Sequence, residues 1–165
     1  MQTFLYEQDH RKLVDIISRL LVDTLAQAIF LFDRNGQQMA VSGAPGQMDI
    51  TSFASLAAGN VAATEALARL VGEKEFPSQY HEGEQSSIYM AAVGRQAILV
   101  VLFDKRSSVG LVRLRVKRTI AELAQAFEEI TSRLELEAET PAPEIQLPEN
   151  EILEITDEDI ESLFH

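Results

Sequence analysis

Between Thr51 and Ala68 only Glu65 carries a charge, and no proline interrupts the run. Asp49 or Thr51 can cap its start and Gly72 can stop it, so the pattern predicts a helix reaching Val71. Leu56 centres one side of that helix, with Ala63, Leu67 and Leu70 close by in projection, and this bulky side is expected to lie on a sheet. The opposite side of an ordinary surface helix is polar. Here it carries Ala54, Ala58, Val61 and Ala62, with Ala66 towards its edge. A helix that is apolar all round has to be covered all round. Either another helix of the same chain covers the second side, or another chain does, through a helix-to-helix seam or a docking surface. Gly59 inside the helix costs about 1 kcal/mol relative to Ala, which fits a close approach at that point.

The flanking segments supply the sheet. Leu13, Ile16, Ile17, Leu20 and Leu21 recur at three- and four-residue spacing and predict a first helix over about Gln8 to Leu25. Ala28 to Phe32 reads as a buried strand, Asp33-Arg34-Asn35-Gly36 as a tight turn, and Gln37 to Ser42 as the returning strand. Phe76 to His81 is a further strand, held to an edge by Pro77. Ser87 to Val93 and Gln96 to Phe103 flank the hairpin connection Gly94-Arg95. The run Ala97 to Phe103 is apolar on both faces and belongs in the middle of the sheet. Ser107 or Ser108 caps a long third helix to about Leu134, with Val116, Ile120, Leu123, Phe127, Ile130 and Leu134 as its stripe. The expected fold is α+β, a five-stranded antiparallel sheet in the order helix, two strands, helix, three strands, helix. No internal repeat is visible.

Charge divides the chain. Residues Met1 to Leu134 hold 15 acids and 14 bases, whereas Glu135 to His165 hold 11 acids and no base. The organisation expected is a domain over 1–134, an extended acidic Pro/Glu linker over 135–150, and an amphipathic peptide over 151–165. A nearly neutral body with an acidic tail disfavours nucleic acid and anionic membrane as partners. The 165 residues contain no cysteine, excluding disulfides and thiol chemistry. No apolar run is long enough to cross a bilayer, and the first residues do not resemble a signal peptide, so a cytoplasmic protein is expected.

Little in the chain suits catalysis. His10, His81 and His165 are far apart, His81-Glu82 does not extend to a zinc-protease pattern, and there is neither a glycine-rich phosphate loop nor a nucleophile elbow. No active site, metal or cofactor is expected. Arg113, Arg115, Lys117 and Arg118 form a cationic set that reads first as a solvated face. It could also attract the acidic tail or an acidic partner, and no single arginine stands out as one lent to a phosphoryl-transfer site. At the C-terminus Thr156 can cap a short helix whose apolar edge is Ile160, Leu163 and Phe164. So short a helix does not hold alone in water, which suits a peptide that orders in a partner's groove; folding back on its own domain is the other reading.

Several blocks resemble a known family. Ser52-Phe53-Ala54-Ser55-Leu56-Ala57-Ala58-Gly59-Asn60-Val61-Ala62-Ala63 is similar to the second helix of the bacterial polarity proteins of the Roadblock (dynein light chain) family. Gly72-Glu73-Lys74-Glu75-Phe76-Pro77, His81-Glu82-Gly83, and the run Phe103 to Leu114 continue the match in order. The ending Ile155 to Phe164 also resembles that of the family. The resemblance implies a Roadblock-like α/β sandwich and a homodimer whose sheets join and whose second helices pair antiparallel. It implies one small Ras-like GTPase of the MglA type bound per dimer, stimulation of GTP hydrolysis without a catalytic arginine of its own, and a role in cell polarity and motility with enrichment at a cell pole. The expected contacts are Ala54, Ala58, Val61, Ala62, Glu65 and Ala66 on the second helix, with Ile155, Ile160, Leu163 and Phe164 of the tail on a remote surface of the GTPase. The alternative function is a Roadblock scaffold that binds a GTPase or signalling complex without changing hydrolysis. A small-ligand sensor on the same plan would need a deep pocket, which crowded aliphatic strands disfavour.

Overall fold

The computed structural model describes residues 6–140 and 157–164. It places α1 over Glu7–Thr24, β1 over Ala28–Asp33, β2 over Gln38–Gly43 and α2 over Ile50–Leu70. β3 follows over Ser78–Glu82, β4 over Ser87–Val93, β5 over Ala97–Phe103, α3 over Val109–Glu139 and α4 over Asp157–Ser162. The strands form one sheet in the order β2-β1-β5-β4-β3, antiparallel throughout. This is the α+β, five-stranded plan expected from the element order.

β5 lies at the centre with every residue buried, as its two-sided apolar run requires. Alternation then divides the core between the two faces. Phe30 and Phe32 of β1, Ile98, Val100 and Leu102 of β5, and Met90 of β4 form one cluster with Ala54, Ala57 and Val61 of α2. Ile29, Leu31, Leu99 and Val101 point to the other face and are fully buried. α1 packs across β1 and β2 on that face through Leu13, Ile17 and Leu20. α3 lies beside α1, joined to it by Arg19–Glu122 at 3.1 Å and by the Lys12–Glu129 and Arg133–Asp9 ion pairs.

Local chemistry explains the element ends. Asp33 Oδ1 accepts the N–H groups of Asn35 and Gln37, each at 2.9 Å, and shapes the β1–β2 turn. In this turn only Gly36 takes a positive φ, of 83°, and an added Cβ would lie 2.9 Å from Ser55 Cα of α2. Glycine there serves both the turn and the seating of α2. Ser108 caps α3, its Oγ accepting from Leu111 N–H at 3.2 Å.

Three expectations change. β3 starts at Ser78 rather than Phe76, just after Pro77, which has no N–H to give a ladder. α3 continues to Glu139 instead of ending near Leu134, because Leu134-Glu135-Leu136-Glu137-Ala138-Glu139 consists of strong helix formers; these residues are helical, not extended. The third concerns which side of α2 faces the sheet. The rest of the expected linker, 141–150, lies outside the described residues.

Candidate functional site

α2 begins at Asp49, whose carboxylate accepts the Ser52 N–H at 3.2 Å and the Ser52 hydroxyl at 2.6 Å. These bonds hold the Asp49 carboxyl below the usual aspartate range. The helix ends at Leu70, with Val71 as its C-cap and Gly72 next at a positive φ of 83°.

Between these ends the helix lies the other way round from the expectation. Ala54, Ala57, Val61 and Ala68 are the buried residues of α2. The leucines expected on the sheet point away from it, with Leu56 73% exposed, Leu67 57% and Leu70 83%. The reason is volume. Phe30 and Phe32 stack at 5.5 Å on the sheet, and Phe53 of α2 meets them edge-on at 5.2 and 5.8 Å. Three rings already fill the layer, so only small side chains fit opposite them at interior packing density. Of the side expected to need a cover from another helix or another chain, Ala54 and Val61 are covered by the chain's own sheet, whereas Ala62 and Ala66 stay exposed.

Of the expected contact residues on α2, Ala54 and Val61 are therefore core, Ala58 is half-buried, and Ala62 and Ala66 are exposed. Glu65 accepts from Arg34 Nη1 at 2.5 Å, and Arg34 Nη2 reaches the Gly94 carbonyl at 2.6 Å. One guanidinium thus ties the second half of α2 to both hairpin turns at that end of the sheet. No sequence pattern announces this clamp, since its members are 31 and 60 residues apart.

What α2 presents outwards is an apolar strip of Leu56, Ala63, Leu67 and Leu70, with Gly59 and Ala66 beside it. From Leu56 to Leu70 it runs about 21 Å along the helix. A Cβ at Gly59 would meet nothing within 4 Å, so the close approach expected there is not made within the chain. Val71 and Phe76 extend exposed apolar surface beyond the helix end. This strip is the candidate interaction surface of α2.

The second expected contact region is α4. Ile160, Leu163 and Phe164 are all exposed, and Leu163 and Phe164 close the last turn through N–H bonds to the Ile160 and Glu161 carbonyls, each at 3.2 Å. Ile155 and the capping Thr156 lie outside the described residues. In the cationic set, Arg113, Lys117 and Arg118 are exposed and Arg115 is half-buried. Among the described residues no group of three or more His, Asp or Glu is placed to hold a metal ion, and no helix is long and apolar enough to cross a membrane.

With this geometry in hand, the comparisons with known proteins are specific. The Roadblock/LC7 domain model matches residues 13–103. The solved structure of Myxococcus xanthus MglB is 48% identical, covering 76% of this chain and 95% of that one, with a TM-score of 0.72. A structure described as MglB with tetrameric arrangement is 35% identical over 78% of this chain and 97% of that one, at TM-score 0.74. The gliding protein MglB from Thermus thermophilus is 36% identical over the same shares, at TM-score 0.73. None of the curated proteins searched matches the chain.

Proposed function

The chain belongs to the Roadblock/LC7 domain family, and from that premise we propose that it is a homodimeric regulator that activates a small Ras-like GTPase of the MglA type. The observation that carries this reading is the outward apolar strip of α2. Two copies of α2 crossing antiparallel at Ala63 set Leu56 of one against Leu70 of the other. The same crossing sets Leu67 against the gap left by Gly59, so bulk meets space at each level of the seam. That the chain self-associates at all is supported by the tetrameric arrangement described for one relative.

The flank beside that seam, centred on Ala62 and Ala66, is low in relief and is the proposed contact for the GTPase, at one GTPase per dimer. Ala54 and Val61 act behind it by setting the height of α2 above the sheet. Hydrolysis of GTP is accelerated by positioning the attacking water and neutralising charge on the leaving phosphate. A partner achieves this without lending a side chain when it binds one switch conformation of the GTPase better than the other. The proposed mechanism is therefore repositioning of the GTPase's own arginine and glutamine by an activator with no active site. The tail residues Ile160, Leu163 and Phe164, with Ile155, dock on a separate surface of the GTPase and raise affinity. In the cell the activity sets which pole carries the GTP-bound partner, in the service of motility.

Phosphate release from an MglA-type GTPase, measured with and without the protein, tests the reading. Acceleration of about tenfold or more, equivalent to about 1.4 kcal/mol at the barrier, supports activation. Binding with an unchanged rate assigns the protein to the scaffold class instead.

A further inference from the structure

α3 carries a second outward surface of a different character. Leu114, Lys117, Arg118, Ala121, Gln125 and Glu128 fall on one side of the helix at three- and four-residue spacing, and all are exposed, Leu114 by 64%. The charges of α3 that face α1 are paired: Glu122 with Arg19, Glu129 with Lys12, and Arg133 with Asp9. Lys117, Arg118 and Glu128 form no ion pair among the described residues. They are also sorted by sign, cations towards the N-terminus and the acid towards the C-terminus, with no acid in the first turn.

This arrangement is complementary to itself when reversed. Two copies of α3 lying antiparallel and crossing level with residue 123 bring Arg118 of each opposite Glu128 of the other, and Ala121 opposite Gln125. At the crossing the small Ala121 of each copy leaves room for the longer Gln125 of the other. We propose that this stripe of α3 is a second self-association surface, on which another copy of the chain lies antiparallel with Arg118 against Glu128 twice over. The two pairs are symmetric by construction, as an isologous contact requires. The surface belongs to the sheet face opposite α2 and operates whether or not the α2 seam forms.

The test is the mass of the full-length protein in solution, by sedimentation or light scattering, at ~100 μM. Screening at ~500 mM salt should halve the mass seen at ~20 mM, because exposed pairs are weakened over a few ångströms of Debye length. Arg118→Glu and Glu128→Arg should each weaken the larger species about tenfold or more, and the double variant should restore it. Repeating the series in a Leu67→Arg background, which removes the α2 strip, should again give a doubling at low salt, now of the single chain. Circular dichroism checks that each variant is folded. A mass that ignores salt and both reversals overturns the proposal. So does a double variant no better than the single ones, which would mean that the cations and the acid do not meet each other.

Discussion

The two faces of the sheet are covered by different means. On one face α1 and α3 lie side by side, joined to each other by ion pairs. On the other face α2 contributes the helical part of the buried cluster by itself, and its outward surface is leucine and alanine. Where the chain supplies two helices to a face, their facing charges are paired with each other. Where it supplies one, the outer surface of that helix is apolar and exposed. The comparison separates the ion pairs that join helices within the protomer from the apolar strip proposed to meet a second molecule.

Phe30→Ala attacks the inner side of α2, where the rings decide its seating, and should have the largest effect on stability. A loss of about 3–5 kcal/mol is expected in denaturant unfolding. Leu67→Arg attacks the outer side of the same helix. It should leave the unfolding of the protomer nearly unchanged but weaken the dimer by about 30-fold or more in sedimentation, as loss of an apolar anchor at an interface does. If both variants acted on protomer stability alone, the division between inner and outer surface would be wrong.

The α1–α3 face should instead show a dependence on pH. The Arg133 guanidinium, hydrogen-bonded to Asp9, holds the buried Asp9 carboxyl below the ordinary aspartate value of 3.8. A lowered carboxyl contributes stability above its unfolded pKa and loses that contribution as pH falls through its folded one. Asp9→Asn should cost about 2 kcal/mol at neutral pH, less than a fully buried pair because Arg133 is partly exposed. The gap from the natural protein should close as the pH falls below 3.8. Chemical denaturation at neutral pH and in acid checks the sign, and a gap that widens in acid would refute it. Removing residues 151–165 should have the smallest effect on folding, with the unfolding midpoint unmoved, while affinity for the GTPase falls.

The sequence is informative wherever a segment has a polar side to contrast with an apolar one. α1, with Leu13, Ile17 and Leu20 inward, lies as its periodicity requires. β4 runs over Ser87–Val93 as expected, and β5 sits centrally because its run has no polar side at all. α2 has no such contrast. Its wheel offers two apolar sides, and side-chain size alone favours the leucines for the core. The signal that reverses the choice is Phe30 and Phe32 at alternate positions in β1, with Phe53 on the helix. Three rings on one side of a sheet require alanines above them. The Arg34–Glu65–Gly94 clamp leaves no trace of this kind.

From the residues alone came the order of the elements, the central place of β5 and the presence of one helix without a water-facing side. Burial preference and turn chemistry act within a few residues, so a reading along the chain can recover them. Which side of α2 meets the sheet, and which charges of α3 are neutralised and which left open, were settled only when distant segments came together. Both depend on whether volumes and charges from separate parts of the chain match across a gap, and such matching is a property of the packed molecule.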